Sequence, residues 1–80
     1  MNQLEQNVLN LLKKSRPELA FEKATDLVGE GLLDSLDIVM LTSDLESEFG
    51  INIPGEEIIP ETFSSITSIA ALVIRLQAKC

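Results

Sequence analysis

Leu4, Val8, Leu11 and Leu12 stand at i, i+4, i+7 and i+8. That spacing puts one apolar stripe on a helix and predicts an amphipathic helix over residues 3–15. Polar Glu5, Asn10, Lys13 and Lys14 fall largely on the other side. The two lysines suit the negative end of the helix, and Pro17 should stop it. Residues 16–34 hold no sustained period. Leu19, Phe21, Leu27 and Val28 are scattered apolar anchors, and Gly29 and Gly31 permit tight turns. A connection this long needs those anchors to tie it to a core.

The strongest period runs over 35–49, where Ile38, Leu41, Leu45 and Phe49 recur at steps of 3, 4 and 4. Asp34 or Ser35 caps its start, Asp37 adds negative charge to its first turn, and Gly50 supplies a left-handed end. In "INIPGEEIIPETF", residues 51–63, Ile51 and Ile53 alternate around Asn52, too briefly for a strand. A short helix is expected within 56–63. The last helix is expected over 65–78, capped by Ser64 or Ser65, with Ile66, Ile69, Ala70, Val73 and Leu76 on its buried stripe. Three longer helices, one short helix and no strand pair predict a small all-α bundle. The long first connection allows a crossover.

Length makes one domain over 1–80 the natural expectation. A chain this small has a core with little margin. Net charge is −7, from 13 acidic and 6 basic residues. Phosphate backbones and anionic lipid should repel such a chain, so nucleic acid is not an expected partner, and basic surfaces are. The one cysteine, Cys80, forms no disulfide within the chain and has no histidine to activate it, so a terminal thiol without a role is expected. The start "MNQLEQNVLNLLKK" is polar and contains an acid, unlike a signal peptide. No apolar run approaches the about 20 residues that cross a bilayer. These features predict a soluble, cytoplasmic protein.

With no histidine there is no histidine-based triad and no histidine-containing zinc site. Neither phosphate-binding glycine pattern is present, nor a calcium loop. The expected catalytic and metal-binding sets are therefore empty, and the chain is not expected to be an enzyme on its own.

Ser35 is the residue with two readings. At the mouth of a helix it could simply cap, worth about 1 kcal/mol. The same place offers unpaired N–H groups and the positive dipole end, which favour a phosphate. At 100° per residue, Leu36 and Met40 project nearly opposite the core stripe, beside Ser43 and Ser47, with Val39 on the flank. Asp37, Asp44 and Glu48 border this smaller apolar patch on one side and Glu46 on the other. Such a patch beside a modifiable serine suggests docking to a basic partner.

The stretch "GLLDSLDIVMLTSDLESEFGINIP" resembles the phosphopantetheine-attachment region of the acyl carrier proteins. The centre of the likeness is Asp34-Ser35-Leu36, followed by a hydrophobic helix, the close "LESEFG" and then I-x-I-P. "ETFSSITSIAALV" resembles the family's final segment, so the likeness covers about the whole chain.

That resemblance implies a four-helix bundle of acyl-carrier type, with three major helices, one short helix and a long first loop. It implies that Ser35 carries 4'-phosphopantetheine, transferred from coenzyme A by a phosphopantetheinyl transferase (a holo-carrier synthase), and that the arm's thiol holds a cargo as a thioester. The chemistry then belongs to the arm and the partner enzymes. Asp34, Leu36, Asp37, Val39, Met40 and Glu46 match positions used around the arm and for partner recognition. Ile53 and Ile58 match positions lining the far side of that surface. The glycines before Ser35 read as access for the modifying enzyme. The expected protein is a monomer served by an acyl- or aminoacyl-adenylating enzyme, or by an acyltransferase or synthase.

Three positions depart from the fatty-acid members: Met40 stands where glutamate is common, Ser43 where a second long apolar residue is, and Ser47 where an acid is usual. "GLLDS" looks like stand-alone carriers that work with adenylating enzymes, including D-alanyl carriers. A dedicated acyl or aminoacyl carrier is therefore expected ahead of a carrier for fatty-acid biosynthesis. The reading from another class is a helical protein-interaction domain that carries nothing, in which Ser35 is only a cap.

Overall fold

A computed structural model describes residues 2–15, 17 and 26–78. Among these residues three α-helices run in the order α1 (Gln3–Ser15), α2 (Ser35–Phe49) and α3 (Ile66–Ala78), and each packs against the other two. No strand occurs among the described residues. The structure is thus an all-helical fold consistent with the acyl-carrier type. The expected anchors Leu19 and Phe21, and the terminal Cys80, lie outside the described residues.

The expected fourth helix within 56–63 is reduced to a single 3-10 turn at Gly55–Glu57. The cause is local. Pro54 and Pro60 frame the segment, and neither has an N–H to give to a helix. The backbone closes turns of three instead: the N–H of Ile58 donates to the Gly55 carbonyl at 3.1 Å, and that of Thr62 to Ile59 at 3.1 Å. Between α2 and this turn, Ile51 and Ile53 are buried and Asn52 is exposed, the alternation read from the sequence.

The core draws on every part of the fold. Val8, Leu9 and Leu12 enter from α1, Ile38, Leu41 and Leu45 from α2, and Ile69, Ala70, Leu72, Val73 and Leu76 from α3. Leu27, Leu33, Ile51, Ile53 and Phe63 fill it from the connections. Leu9, Leu33 and Leu72 go beyond the stripes read from periodicity, whereas Leu4, Leu11, Phe49 and Ile66 are only partly buried against it. Thr42 is the one buried polar residue described. Its hydroxyl donates to the Ile38 carbonyl at 2.8 Å, so burial leaves no polar atom unpaired.

Caps explain the helix limits. Asn2 Oδ1 accepts from the Glu5 N–H at 2.8 Å, and Glu5 Oε1 accepts from the Asn2 N–H at 3.0 Å. This reciprocal pair starts α1. Ser65, not Ser64, caps α3: its Oγ accepts from the Ser68 N–H at 3.0 Å, and the helix begins one residue later than expected. Gly50, at φ 63°, closes α2 in the left-handed region, with its N–H on the Glu46 carbonyl at 3.0 Å.

Glu5 also joins two helices, because its Oε2 accepts from the Thr67 hydroxyl of α3 at 3.1 Å. The Asn2 backbone N–H, and then the Thr67 hydroxyl, hold its carboxyl below the ordinary value of 4.5. A depressed folded pKa gives stability that is complete above the unfolded pKa and lost as pH falls through the folded one. Glu5→Gln keeps an acceptor but no charge. The Tm gap between wild type and Glu5→Gln should therefore be widest near about pH 6 and close toward about pH 3. A constant gap across a thermal-melt pH series would show that the charge has no part in this contact.

Candidate functional site

The approach to α2 is a tight turn over residues 26–33. Asp26 Oδ1 accepts from the Gly29 N–H at 2.9 Å, the Asp26 carbonyl from the Glu30 N–H at 2.8 Å, and Glu30 Oε2 from the Asp26 N–H at 2.9 Å. A Cβ on Gly29 would run into the Asp26 carboxylate, 2.7 Å from its Cγ. Gly31 sits at φ 77°, where a side chain is strained. The left-handed backbone accounts for Gly31, and a side chain at Gly29 would displace the Asp26 carboxylate from its bond to the Gly29 N–H.

Leu27 pins the turn. Its side chain is fully buried, its N–H donates to the Ser64 carbonyl at 2.6 Å, and its carbonyl accepts from Leu32 at 2.9 Å and Leu33 at 3.1 Å. Leu33 is buried too, so the chain reaches Asp34 from a fixed point.

Asp34 takes the N-cap of α2. Its Oδ1 accepts from the Asp37 N–H at 2.9 Å, and Asp37 Oδ2 accepts from the Asp34 N–H at 3.3 Å. Ser35 is consequently the first helical residue rather than the cap. It is exposed, and among the described residues nothing holds its hydroxyl. The N–H groups of Ser35 and Leu36 precede any possible helical acceptor, and the capping pair uses neither. An anionic phosphate on Ser35 would meet these two donors and the positive end of α2. The residues present thus fit a phosphodiester, with Ser35 as the bearer and the first-turn backbone as its support.

The exposed face of α2 continues from there. Leu36, Val39 and Met40 are 66%, 58% and 50% exposed, while Ile38, Leu41 and Leu45 on the opposite face are buried. Leu36, Val39 and Met40 follow i, i+3 and i+4, so they form one patch beside Ser35. Ser43, Ser47 and Glu48 are exposed along the helix, and Asp44 is half-buried.

The remaining expected surface residues divide. Ile58 is half-buried and packs on the core margin. Ile53 is a correction: at 6% exposure it belongs to the core and cannot line a docking surface. Its backbone explains the burial. The Ile53 N–H donates to Glu46 Oε2 at 2.8 Å, which draws the segment after α2 inward. Glu46 therefore has a structural task that periodicity does not reveal, since its partner is seven residues on and outside the helix.

The class defined by this arrangement is a small helical protein with a reactable serine at a helix start and an apolar patch beside it. The family model described as the phosphopantetheine attachment site matches residues 2–73. The chain belongs to that family, whose members carry 4'-phosphopantetheine covalently. It is 42% identical over 48 residues to D-alanyl carrier proteins of Lactococcus lactis subsp. cremoris, strains MG1363 and SK11, and of Lactococcus lactis subsp. lactis, strain IL1403. The match takes in 60% of the chain and 61% of each relative's length. No solved structure matches the chain. Among the described residues no helix is long and apolar enough to cross a membrane, and no three His, Cys, Asp or Glu residues are grouped to hold a metal.

A charge-assisted hydrogen bond to a backbone donor contributes about 1.5–3 kcal/mol. Glu46→Ala should therefore lower unfolding free energy by about that amount in urea denaturation. A purely partner-facing Glu46 would leave the denaturation curve unchanged.

Proposed function

We propose that this protein is a carrier for an aminoacyl group, with 4'-phosphopantetheine attached through Ser35. The observation that carries the reading is the exposed Ser35 hydroxyl, left unclaimed because Asp34 supplies the cap of α2. The family match spans this serine. Once attached, the group supplies a thiol at the end of a long arm, on which a carboxylic acid can be held as a thioester. The chain's own residues hold and present. The first turn of α2 supports the phosphate, and Leu36, Val39 and Met40 offer apolar contact to a docking enzyme. Acidic residues on the same helix steer enzymes with basic surfaces toward that patch. The protein itself contributes no catalytic group to loading or unloading.

The likeness to D-alanyl carrier proteins favours a D-alanyl or similar aminoacyl cargo over a fatty acyl chain. Such a cargo calls for an adenylating enzyme that activates the acid, and for a phosphopantetheinyl transferase that installs the arm. Met40 and Ser47 point the same way. They leave the patch less acidic than the fatty-acid resemblance implies. We read the chain as one cytoplasmic, monomeric carrier domain over 1–80.

Mass spectrometry after co-expression with a promiscuous phosphopantetheinyl transferase tests the attachment. Wild type should gain one phosphopantetheine and Ser35→Ala none. Because Ser35 is not the cap, Ser35→Ala should stay within about 0.5 kcal/mol of wild-type stability. An equal mass gain in both proteins would refute Ser35 as the attachment point, and a loss of about 1 kcal/mol would return it to a capping role.

The docking face has its own test. Met40→Glu should weaken binding of the adenylating enzyme and leave Tm nearly unchanged. A large fall in Tm would mean that Met40 belongs to the core.

A further inference from the structure

We propose that Asp34 is a positioning residue whose cap holds α2 in the frame that leaves the Ser35 hydroxyl free to react. The proposal rests on reading Ser35 as the attachment point.

Asp34 and Ser35 are adjacent, and both are side chains favoured at an N-cap. Only one of them can fill it. In the observed frame Asp34 is extended, at φ −109° and ψ −175°, and exchanges bonds with Asp37. Its carbonyl accepts from the Ile38 N–H at 3.0 Å. One residue further on, Ser35 would be the cap. Its backbone would open, Asp34 would lose the Ile38 bond, and Ser35 Oγ would accept from the Ile38 N–H, then three residues into the helix. A hydroxyl bound there is turned onto its own first turn, away from an approaching enzyme.

Two features hold the observed frame. Asp34 and Asp37 bond reciprocally, at 2.9 and 3.3 Å, whereas a Ser35 cap would put Ile38, which has no side-chain acceptor, in the place of Asp37. Leu33 is fixed just before the helix, its side chain buried and its N–H on Leu27.

The transfer needs the free frame. The Ser35 oxygen forms the bond to phosphorus and a phosphoanhydride bond of coenzyme A breaks. The nucleotide leaves as adenosine 3',5'-bisphosphate, keeping the bridging oxygen, and the hydroxyl proton passes to a base of the transferase.

Asp34→Ala removes the stronger competitor, so the cap should move to Ser35. One serine cap against alanine corresponds to about fivefold in population, the equivalent of about 1 kcal/mol. Only the minority frame would accept the group. KM for the carrier should then rise about fivefold with kcat little changed, because apparent affinity scales with the competent fraction.

The experiment uses the full chain as wild type, Asp34→Ala, Asp34→Asn and Asp34→Ser. Each is modified by a promiscuous phosphopantetheinyl transferase with coenzyme A and followed by mass, while NMR follows amide exchange at Asp37 and Ile38. In Asp34→Ala, the Asp37 amide should exchange faster while Ile38 stays protected, the signature of a cap shifted by one residue, and KM should rise. Asp34→Asn and Asp34→Ser restore a cap without charge and should recover most of the loss. If Asp34→Ala loses protection along all of α2, the Asn and Ser variants decide the matter alone. Recovery in both supports the proposal. Slow modification in both, with Asp37 still protected, overturns it, because the charge of Asp34 would then be what matters. Unchanged KM in a folded Asp34→Ala also overturns it. A wild-type chain that takes no group is a different failure, that of the attachment reading itself, and the frame shift is still decided by the amide exchange.

Discussion

Leu27 is held through its side chain, its N–H and its carbonyl at once, and the site inherits its geometry from that residue. The side chain is fully enclosed in the core, the N–H reaches the Ser64 carbonyl, and the carbonyl receives both Leu32 and Leu33. A fully buried leucine contributes about 1.5–3 kcal/mol, a large share for a domain whose total stability is of order 10 kcal/mol. Here the apolar burial also fixes backbone. The chain leaves the core at Leu33 in a set direction, and the next residue, Asp34, begins α2. The same bond to Ser64 ties this approach to the residue just before the cap of α3. The entries of both helices are thereby registered against each other.

From that fixed point, a single choice decides what Ser35 is. Two neighbouring residues could cap α2, and the pairing of Asp34 with Asp37 settles which one does. The serine becomes the first helical residue, with its hydroxyl in solvent. The backbone N–H groups of Ser35 and Leu36, which the capping pair does not use, remain at the helix mouth, where the dipole already favours an anion. A structural side chain one residue away thus creates a chemical opportunity at Ser35 without contributing chemistry itself.

Helices were the legible part of the chain. The stripes at Leu4–Leu12, Ile38–Phe49 and Ile66–Leu76 correspond to α1, α2 and α3, and the end of α2 falls at Gly50 as its left-handed preference requires. The exposed patch was legible for the same reason, since Leu36 and Met40 break the period. What the sequence could not decide were competitions and distant partners. Asp34 and Ser35 are both good caps, and the exchange with Asp37 together with the fixed turn before Asp34 separates them. The alternation of Ile51 and Ile53 signalled burial, but the bond from Ile53 to Glu46 crosses the end of a helix, and no periodic pattern encodes it. The expected short helix lost to two prolines and three-residue turns, because a segment this brief has few helical bonds to offset them. Leu9 and Leu72 are buried because α1 and α3 each pack against two neighbours, which widens a stripe beyond one helical face.

An apolar patch on the surface of an 80-residue chain constrains everything around it. Leu36, Val39 and Met40 are three large side chains that give the core nothing, so α2 must be secured by what remains. Ile38, Leu41 and Leu45 provide one narrow buried face, and Thr42 joins it by satisfying its hydroxyl within the helix. The ends supply the rest. Asp34 and Asp37 close one, Gly50 closes the other, and Glu46 binds the departing chain at Ile53. Net charge of −7 opposes association of such a surface with its own kind, since like-charged copies repel. The same acidity attracts a partner of opposite sign. The acidity that surrounds the patch is therefore also what would select a partner for it.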